Sequence, residues 1–339
     1  MSSSSTESDL AYEQFTVDCP GQSSALKMSV ARYFDPAETN TDGVTLLFAH
    51  CIGSHKESWR SVIEEIFRNQ REKDSKLRIR EAYAFDRQNH SESAILNKEY
   101  LAGLKGSIGL WGEAVRAFVQ TRLKARRIVA IGHSGGTACI ASSTLGLPAN
   151  AIPYLSSIFI EPMLLTNSQW LLTSDRRKEL SEFVGGFIRR RKDTWESRQK
   201  AFEWMRGKDP WKDWDERVVR AFVDYALYQP DPSSEVVMLK TPKDQEAWCY
   251  PDIEGYIAGM KEYLRLSKTM PFHLIYGADG DLMLVQCLSA PWVGPLPDAN
   301  SVHSDDAVKE EMVDASLGAH PASFDLIPNA GHLVRSFPP

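Results

Sequence analysis

A serine set between glycines is the first feature of this sequence that could do chemistry. Residues 132–136 read Gly-His-Ser-Gly-Gly, and they follow an apolar run at 128–131. In a nucleophile elbow the serine stands on a strained turn from a strand into a helix. Strand and helix nearly touch there, so the positions two before and two after the serine must be almost free of side chain. Gly132 and Gly136 meet that condition, and the pattern predicts a nucleophilic hydroxyl at Ser134.

Two other chemistries fit the residue pattern less well. A phosphate or dinucleotide loop needs Gly-x-Gly-x-x-Gly or Gly-x-x-x-x-Gly-Lys-Ser/Thr, and the sequence has neither. Cys51 has no elbow around it, so we expect this thiol to pack in the core rather than to react. The 5 cysteines are scattered without a Cys-x-x-Cys pair, which disfavours a zinc site and a disulfide framework. We therefore expect no metal and no cofactor.

A serine nucleophile needs a general base, and His332 is the best candidate among the 8 histidines. It follows the last predicted strand, residues 323–328, in a loop that opens with Pro-Asn-Ala-Gly. Loops at the carboxyl ends of parallel strands meet at one edge of the sheet, so His332 can reach Ser134. His133 is adjacent in sequence but is expected to point away from the elbow, and His50 belongs to another loop.

The acid that would orient this imidazole has three candidates. Asp281 and Asp279 follow a predicted strand at 271–277 and both give the chain order serine, aspartate, histidine, with Asp281 as the first choice. Glu161 ends the strand after the nucleophile's helix and could approach the histidine from the other side. All three carboxylates stay open at this point.

The loop after the third predicted strand is in the right place to bind an oxyanion. This strand covers residues 43–50, and the loop continues Cys-Ile-Gly-Ser. We expect the backbone N–H groups of Ile52 and Gly135 to hold the negative oxygen of a tetrahedral intermediate.

The elements that must position these residues alternate between strand and helix. An opening antiparallel pair at 15–19 and 26–34 precedes the buried strand at 43–50, and Trp111 to Leu123 repeats apolar residues at helical spacing. The order predicts an α/β fold with a mostly parallel sheet and helices on both faces. The predicted division is a disordered lead (1–12), a core (13–163 and 269–339) and an inserted helical cap or lid (164–268), where six tryptophans lie.

Composition excludes several classes of partner. With 39 basic and 45 acidic residues the net charge is −6, which gives no basic face for a nucleic acid. No stretch approaches the ~18 apolar residues of a membrane span. The amino terminus lacks the basic and apolar regions of a secretory signal, so we expect a cytoplasmic protein.

Taken together, the motifs resemble the α/β-hydrolase superfamily, and more narrowly the fungal hydrolases of the toxin-biosynthesis and peroxisomal-lipase kind. Ile52 stands where that group has asparagine, Ser91 stands where it has glycine, and its peroxisomal tripeptide is absent. The resemblance favours Asp281 as the acid. The segments that carry it are AHCIGSHKESW, FDRQNHSESAILN, IGHSGGTA, WESRQKAF, YGADGD and GHLV, within residues 15–335.

The resemblance implies an α/β-hydrolase fold and a carboxylic ester, thioester or lactone as substrate, often a lipid or secondary metabolite, with no cofactor. Together with the residues it predicts a serine hydrolase that forms an acyl-enzyme on Ser134 and takes a small hydrophobic acyl substrate. Two alternatives stay open: an acyltransferase that uses the same acyl-enzyme, and a non-catalytic ligand-binding protein of the same fold.

Overall fold

A computed structural model describes most of the chain. The described residues are 10–20, 25–39, 41–70, 73–104, 106–209, 211–278 and 308–333. Within them, no helix is both long enough and apolar enough to cross a bilayer, and no group of three or more His, Cys, Asp or Glu side chains is placed to hold a metal ion.

Eight of the eleven strands in the described residues form one sheet, in the order β1-β2-β4-β3-β5-β6-β10-β11. The first two strands are antiparallel to their neighbours, and the pairs from β4 to β11 are parallel. The strands are β1 (Ala11–Asp18), β2 (Lys27–Phe34), β3 (Val44–Ala49), β4 (Ile79–Phe85), β5 (Arg127–His133), β6 (Tyr154–Ile160), β7 (Thr194–Trp195), β8 (Leu227–Tyr228), β9 (Val237–Leu239), β10 (Phe272–Gly277) and β11 (Ser323–Ile327).

Nine α-helices are described. They are α1 (Arg60–Arg68), α2 (Ser91–Leu96), α3 (Ile108–Arg122), α4 (Gly135–Ser142), α5 (Asn167–Arg190), α6 (Arg198–Arg206), α7 (Glu216–Tyr225), α8 (Lys243–Ala247) and α9 (Ile253–Leu266). Side-chain caps fix several of their starts: the Ser107 hydroxyl accepts the Leu110 N–H at the start of α3, and the Asp252 carboxylate accepts the Gly255 N–H at the start of α9.

The sheet is covered on both faces, which confirms the predicted α/β architecture with a mostly parallel sheet. All six residues of β3 are buried, as a strand at the centre of a covered parallel sheet requires. Helices α3, α4 and α9 pack on one face around Trp111, Tyr263 and Phe159. Helix α1 packs on the other face, where Trp59 and Ile63 meet the strand residue Phe48.

The segment between β6 and β10 contains α5 to α9 and a small second sheet, β7-β9-β8. Four tryptophans pack in series there, with ring centroids 5.7, 5.5 and 6.4 Å apart from Trp195 through Trp204 and Trp211 to Trp214. They build a small core of their own. Helix α9 instead joins the main core beside α4, so the predicted cap at 164–268 includes one helix that packs against the sheet layer.

Candidate active site

Ser134 lies in the tight turn between β5 and α4. Its backbone torsions are φ 53° and ψ −122°, a conformation that a residue other than glycine keeps only when its surroundings force it. The Ser134 N–H donates to the Ile160 carbonyl at 2.9 Å, and the Thr137 N–H donates to the Ser134 carbonyl at 2.9 Å. These bonds tie the turn to β6 and to the start of α4, so the serine is held at the carboxyl edge of the sheet.

Two glycines make room for this turn. A Cβ built on Gly132 would lie 2.7 Å from the Gly136 carbonyl oxygen and 2.7 Å from the Thr137 nitrogen. A Cβ built on Gly136 would lie 2.7 Å from the His50 carbonyl oxygen and would also meet the Ala49 carbonyl. Because all of these neighbours are backbone atoms, neither position has space for a side chain.

The loop after β3 brings the Ile52 N–H close to Gly135. The Ser54 N–H donates to the Cys51 carbonyl at 3.2 Å, which closes a β-turn with Ile52 and Gly53 at its centre. Gly53 has φ +76°, which a type II turn requires at this position. A Cβ built on Gly135 would lie 4.0 Å from the Ile52 nitrogen. The two predicted oxyanion donors therefore lie close together at the N-terminus of α4, where the helix dipole favours negative charge.

Two buried histidines hold this turn. His50 Nε2 accepts the Arg87 N–H at 3.2 Å, so its Nδ1 carries the proton and donates to the carbonyl of the next residue at 2.7 Å. His90 Nε2 accepts the Gly53 N–H at 3.0 Å. Burial, together with the positive charges of Arg87 and Arg191 and the neighbouring His50, lowers the pKa of His90 well below its ordinary value. His90 therefore stays neutral and remains an acceptor.

His332 lies at the same edge of the sheet, in contact with Glu161. His332 Nδ1 is 3.2 Å from Glu161 Oε2, and the other carboxylate oxygen accepts the Gly277 N–H at 2.5 Å. Glu161 follows β6 directly and has φ 46°, a left-handed conformation that is costly for glutamate. His133 Nε2 lies 2.8 Å from the His332 carbonyl and donates to it. His332, Glu161 and His133, the residue before Ser134, are thus joined by hydrogen bonds.

Two of the three candidate acids, Asp281 and Asp279, lie outside the described residues. Glu161 is the candidate that the described part of the chain brings to the His332 ring. It also keeps the order nucleophile, acid, base along the chain, since it falls between Ser134 and His332.

The Ser134 hydroxyl points toward a methionine. Its Oγ lies 3.8 Å from Met163 Sδ, and the Met163 N–H donates to Thr137 Oγ1 at 3.1 Å. The ring centroids of His133 and His332 are 5.5 Å apart.

A buried cluster of charged side chains lies next to the loop that follows β3. Lys56 Nζ lies 3.0 Å from Asp86 Oδ2 and 2.7 Å from Glu57 Oε1, and His55 Nδ1 lies 3.1 Å from Glu57 Oε2. The Tyr12 hydroxyl donates to Glu57 at 3.0 Å. Burial opposes the charged form of Glu57, but the bonds from His55 and Lys56 hold its pKa well below the ordinary value. Burial raises the pKa of Asp86 despite the same lysine.

Sequence reasoning did not assign a role to this cluster or to His90. The signal was present, because both belong to the segments through which the chain resembles fungal hydrolases. Spacing alone could not show that residues 30 or 37 positions apart share hydrogen bonds.

Comparison with protein families gives a match over most of the chain. The model described as "Alpha/beta hydrolase family" matches residues 46–338. A search by sequence among curated proteins gives no match.

Solved structures from several organisms have a similar fold. The peroxisomal alpha-beta-hydrolase Lpx1 from Saccharomyces cerevisiae has a TM-score of 0.70 at 16% identity, over 96% of this chain and 84% of that one. An alpha/beta hydrolase from Novosphingobium aromaticivorans has a TM-score of 0.57 at 12% identity, over 95% and 92%. A carboxylesterase study of Nitrososphaera gargenis supplies a structure with a TM-score of 0.52 at 14% identity, over 94% and 92%. At these identities the likeness establishes the fold.

Proposed function

Because the chain belongs to the alpha/beta hydrolase family, we propose that it is a serine hydrolase that cleaves a carboxylic ester, thioester or lactone through an acyl-enzyme on Ser134. One observation carries the proposal: the strained Ser134 lies beside the closely spaced backbone amides of Ile52 and Gly135, while His332 contacts a carboxylate at the same edge of the sheet. A strained serine at a helix start has no structural use that a glycine would not serve better.

Acylation begins when His332 takes the Ser134 proton through Nε2, and the serine oxygen attacks the substrate carbonyl. The N–H groups of Ile52 and Gly135 receive the developing oxyanion. Removing one such donor typically costs ~3 kcal/mol of transition-state stabilisation. The tetrahedral intermediate collapses, and His332 gives its proton to the leaving group. Deacylation repeats these steps with water, which His332 activates.

We assign the orienting role to Glu161. Its carboxylate contacts His332 Nδ1, and the Gly277 N–H fixes the other oxygen, so the acceptor on the imidazole has a defined position. An acceptor at Nδ1 keeps the proton on that nitrogen and leaves Nε2 free to act as a base. Asp281 is the competing carboxylate, and variants of each residue distinguish the two assignments.

The groups next to the nucleophile favour an apolar acyl chain. The Ile52 side chain lies 3.2 Å from where a Gly135 Cβ would be, and Met163 lies against the hydroxyl. A lipid-like or polyketide-like acyl group would bury its surface against Ile52 and Met163. We therefore propose a small hydrophobic acyl compound as the substrate.

Labelling with a fluorophosphonate probe tests the proposal. We expect the wild type to be labelled, and Ser134→Ala and His332→Ala to lose at least about 99% of the labelling rate, in line with the loss on removing a triad member. Ser156→Ala in β6 and His320→Ala on the surface are matched controls that should label like the wild type. A folded wild-type protein that stays unlabelled would show that the proposed function is wrong.

A further inference from the structure

A buried ion pair of the segment between β6 and β10 packs against the turn that carries the oxyanion donor Ile52. Arg191, directly after α5, makes two hydrogen bonds to Glu246 of α8, at 3.0 Å from Nη1 to Oε1 and 2.6 Å from Nη2 to Oε2. Only 3% of the Glu246 side chain is exposed. A Cβ built on Gly53 would lie 2.7 Å from Glu246 Oε1, so the carboxylate touches the turn itself.

A carboxylate at this place is harmful to an oxyanion hole unless its charge is neutralised. Gly53 follows Ile52 in the chain, and neighbouring Cα atoms are only about 3.8 Å apart. Water does not screen charges in a buried site, so an uncompensated Glu246 would repel the negative oxygen that forms beside the Ile52 N–H. The planar guanidinium of Arg191 matches the carboxylate with two bonds and removes that repulsion.

We propose that Arg191 is a positioning residue of the oxyanion hole. It neutralises Glu246, the carboxylate that packs on Gly53, so the hole is free of a repelling charge only while the end of α5 is docked on α8. The inference rests on the proposed acyl-enzyme chemistry at Ser134 and adds a dependence of that chemistry on the inserted segment.

Helix α8 reaches the same turn from a second side. His90 accepts the Gly53 N–H and donates from Nδ1 to Asn89 Oδ1 at 2.8 Å. The Asn89 amide donates to the Gln245 side-chain oxygen and to the Gln245 carbonyl, both at 3.2 Å. Gln245 and Glu246 are consecutive residues of α8, so a shift of this short helix moves both supports of Gly53 together.

The same two elements offer a matched control. Arg189 and Asp244 also join the end of α5 to α8, with Nε 2.8 Å from Oδ1, but 45% and 66% of their side chains are exposed. This outer pair does not touch the turn. Breaking it tests the loss of a tie between the helices, without placing a buried charge beside the oxyanion.

The test compares R191Q, E246Q and R191Q/E246Q with R189Q and D244N, using p-nitrophenyl butyrate and the fluorophosphonate probe. Because R191Q leaves a bare carboxylate beside the hole, we expect it to lower kcat and the labelling rate by about 10- to 100-fold, with KM changed less than about threefold. E246Q leaves a positive charge there and should raise kcat by about two- to tenfold. The double variant should have a kcat and a labelling rate within about threefold of the wild type. R189Q and D244N should match the wild type.

A fall in kcat for R191Q, a rise for E246Q and a near wild-type kcat for the double variant would together indicate an electrostatic effect of the pair on the oxyanion hole. If R191Q and E246Q lose activity equally and the double variant stays slow, the pair is only a structural tie and the inference is wrong. Activity of R191Q equal to that of R189Q would also overturn it.

Amide hydrogen exchange over residues 50–54 in the free protein gives a readout that does not depend on acyl chemistry. R191Q should speed exchange in this turn, whereas R189Q should not. If the wild type does not react with the probe, the proposed function fails, and this exchange still decides whether Arg191 holds the turn.

Discussion

Glu161→Gln changes one atom at the contact between the base and its carboxylate. Glu161 Oε1 accepts the Gly277 N–H at 2.5 Å, and Oε2 lies 3.2 Å from His332 Nδ1. In glutamine the remaining oxygen must stay on Gly277, since an amide NH2 there would face another donor. The new NH2 group then faces His332 Nδ1 and can only donate to it.

The consequence is a histidine in the wrong tautomer. If Nδ1 accepts, the ring proton moves to Nε2, and His332 can no longer take the proton of Ser134. A carboxylate-to-amide change in a catalytic triad lowers turnover by ~10⁴, which corresponds to about 5.4 kcal/mol of transition-state stabilisation. We therefore expect kcat of Glu161→Gln to fall by roughly 10³ to 10⁴, with KM within about threefold of the wild type. The unfolding temperature should change little because the side chain keeps its shape.

The assay measures kcat and KM for p-nitrophenyl butyrate in Glu161→Gln and Asp281→Asn. Glu179→Gln, an exposed carboxylate change on α5, is the control. If Asp281→Asn loses most of its activity while Glu161→Gln stays within about tenfold of the wild type, the assignment of Glu161 is wrong and Asp281 is the acid. If neither change affects kcat, His332 is not oriented by either carboxylate.

Three further predictions concern stability and are measured as the free energy of unfolding in urea. Gly136→Ala should lose at least ~3 kcal/mol because its Cβ would strike backbone atoms, whereas Gly109→Ala, with its nearest neighbour at 3.6 Å, should gain up to ~1 kcal/mol; equal effects would contradict this. Ser91→Gly should gain up to ~1 kcal/mol, since Ser91 has φ 46°, and a loss would show that its side chain matters more than the strain. The depressed pKa of Glu57 stabilises the fold above its ordinary pKa of 4.5, and this contribution is lost as the pH falls further. Glu57→Gln should therefore be less stable at pH 7 and show a shallower loss between pH 5 and 3, and an unchanged slope would contradict it.

The strands that build the site were predictable because each carries a simple pattern. The run at 43–50 is apolar without alternation, and the structure buries the whole of β3. The turn after β5 was predictable because its glycines are demanded by backbone contacts and not by a distant partner. Loops that follow parallel strands meet at one edge of the sheet, and this rule predicted that Ser134 and His332 lie at the same edge.

The features that could not be predicted from the sequence depend on contacts between distant segments. The resemblance favoured Asp281, but the choice between carboxylates depends on which carboxylate oxygen reaches Nδ1 of His332. The small sheet of the inserted segment escaped prediction because β7 and β8 have only two residues each, too few for a period. The support of Gly53 by α8 joins residues nearly 200 positions apart, and charge patterning along the chain does not report it.

Backbone strain marks the site independently of any motif. Of the five described residues other than glycine with positive φ, Ser134 and Glu161 carry proposed roles, Ser91 follows His90, and Asn329 lies in the loop that leads to His332. Such conformations cost about 1–2 kcal/mol each and persist only where the fold over-determines them. At Ser91, Asn329 and Ala125, which lies between α3 and β5, a glycine would relieve the strain, whereas the proposed chemistry requires the side chains of Ser134 and Glu161. Under the proposed mechanism, the strain at Ser134 and Glu161 holds a hydroxyl and a carboxylate at the carboxyl edge of the sheet, as expected where chemistry outweighs stability.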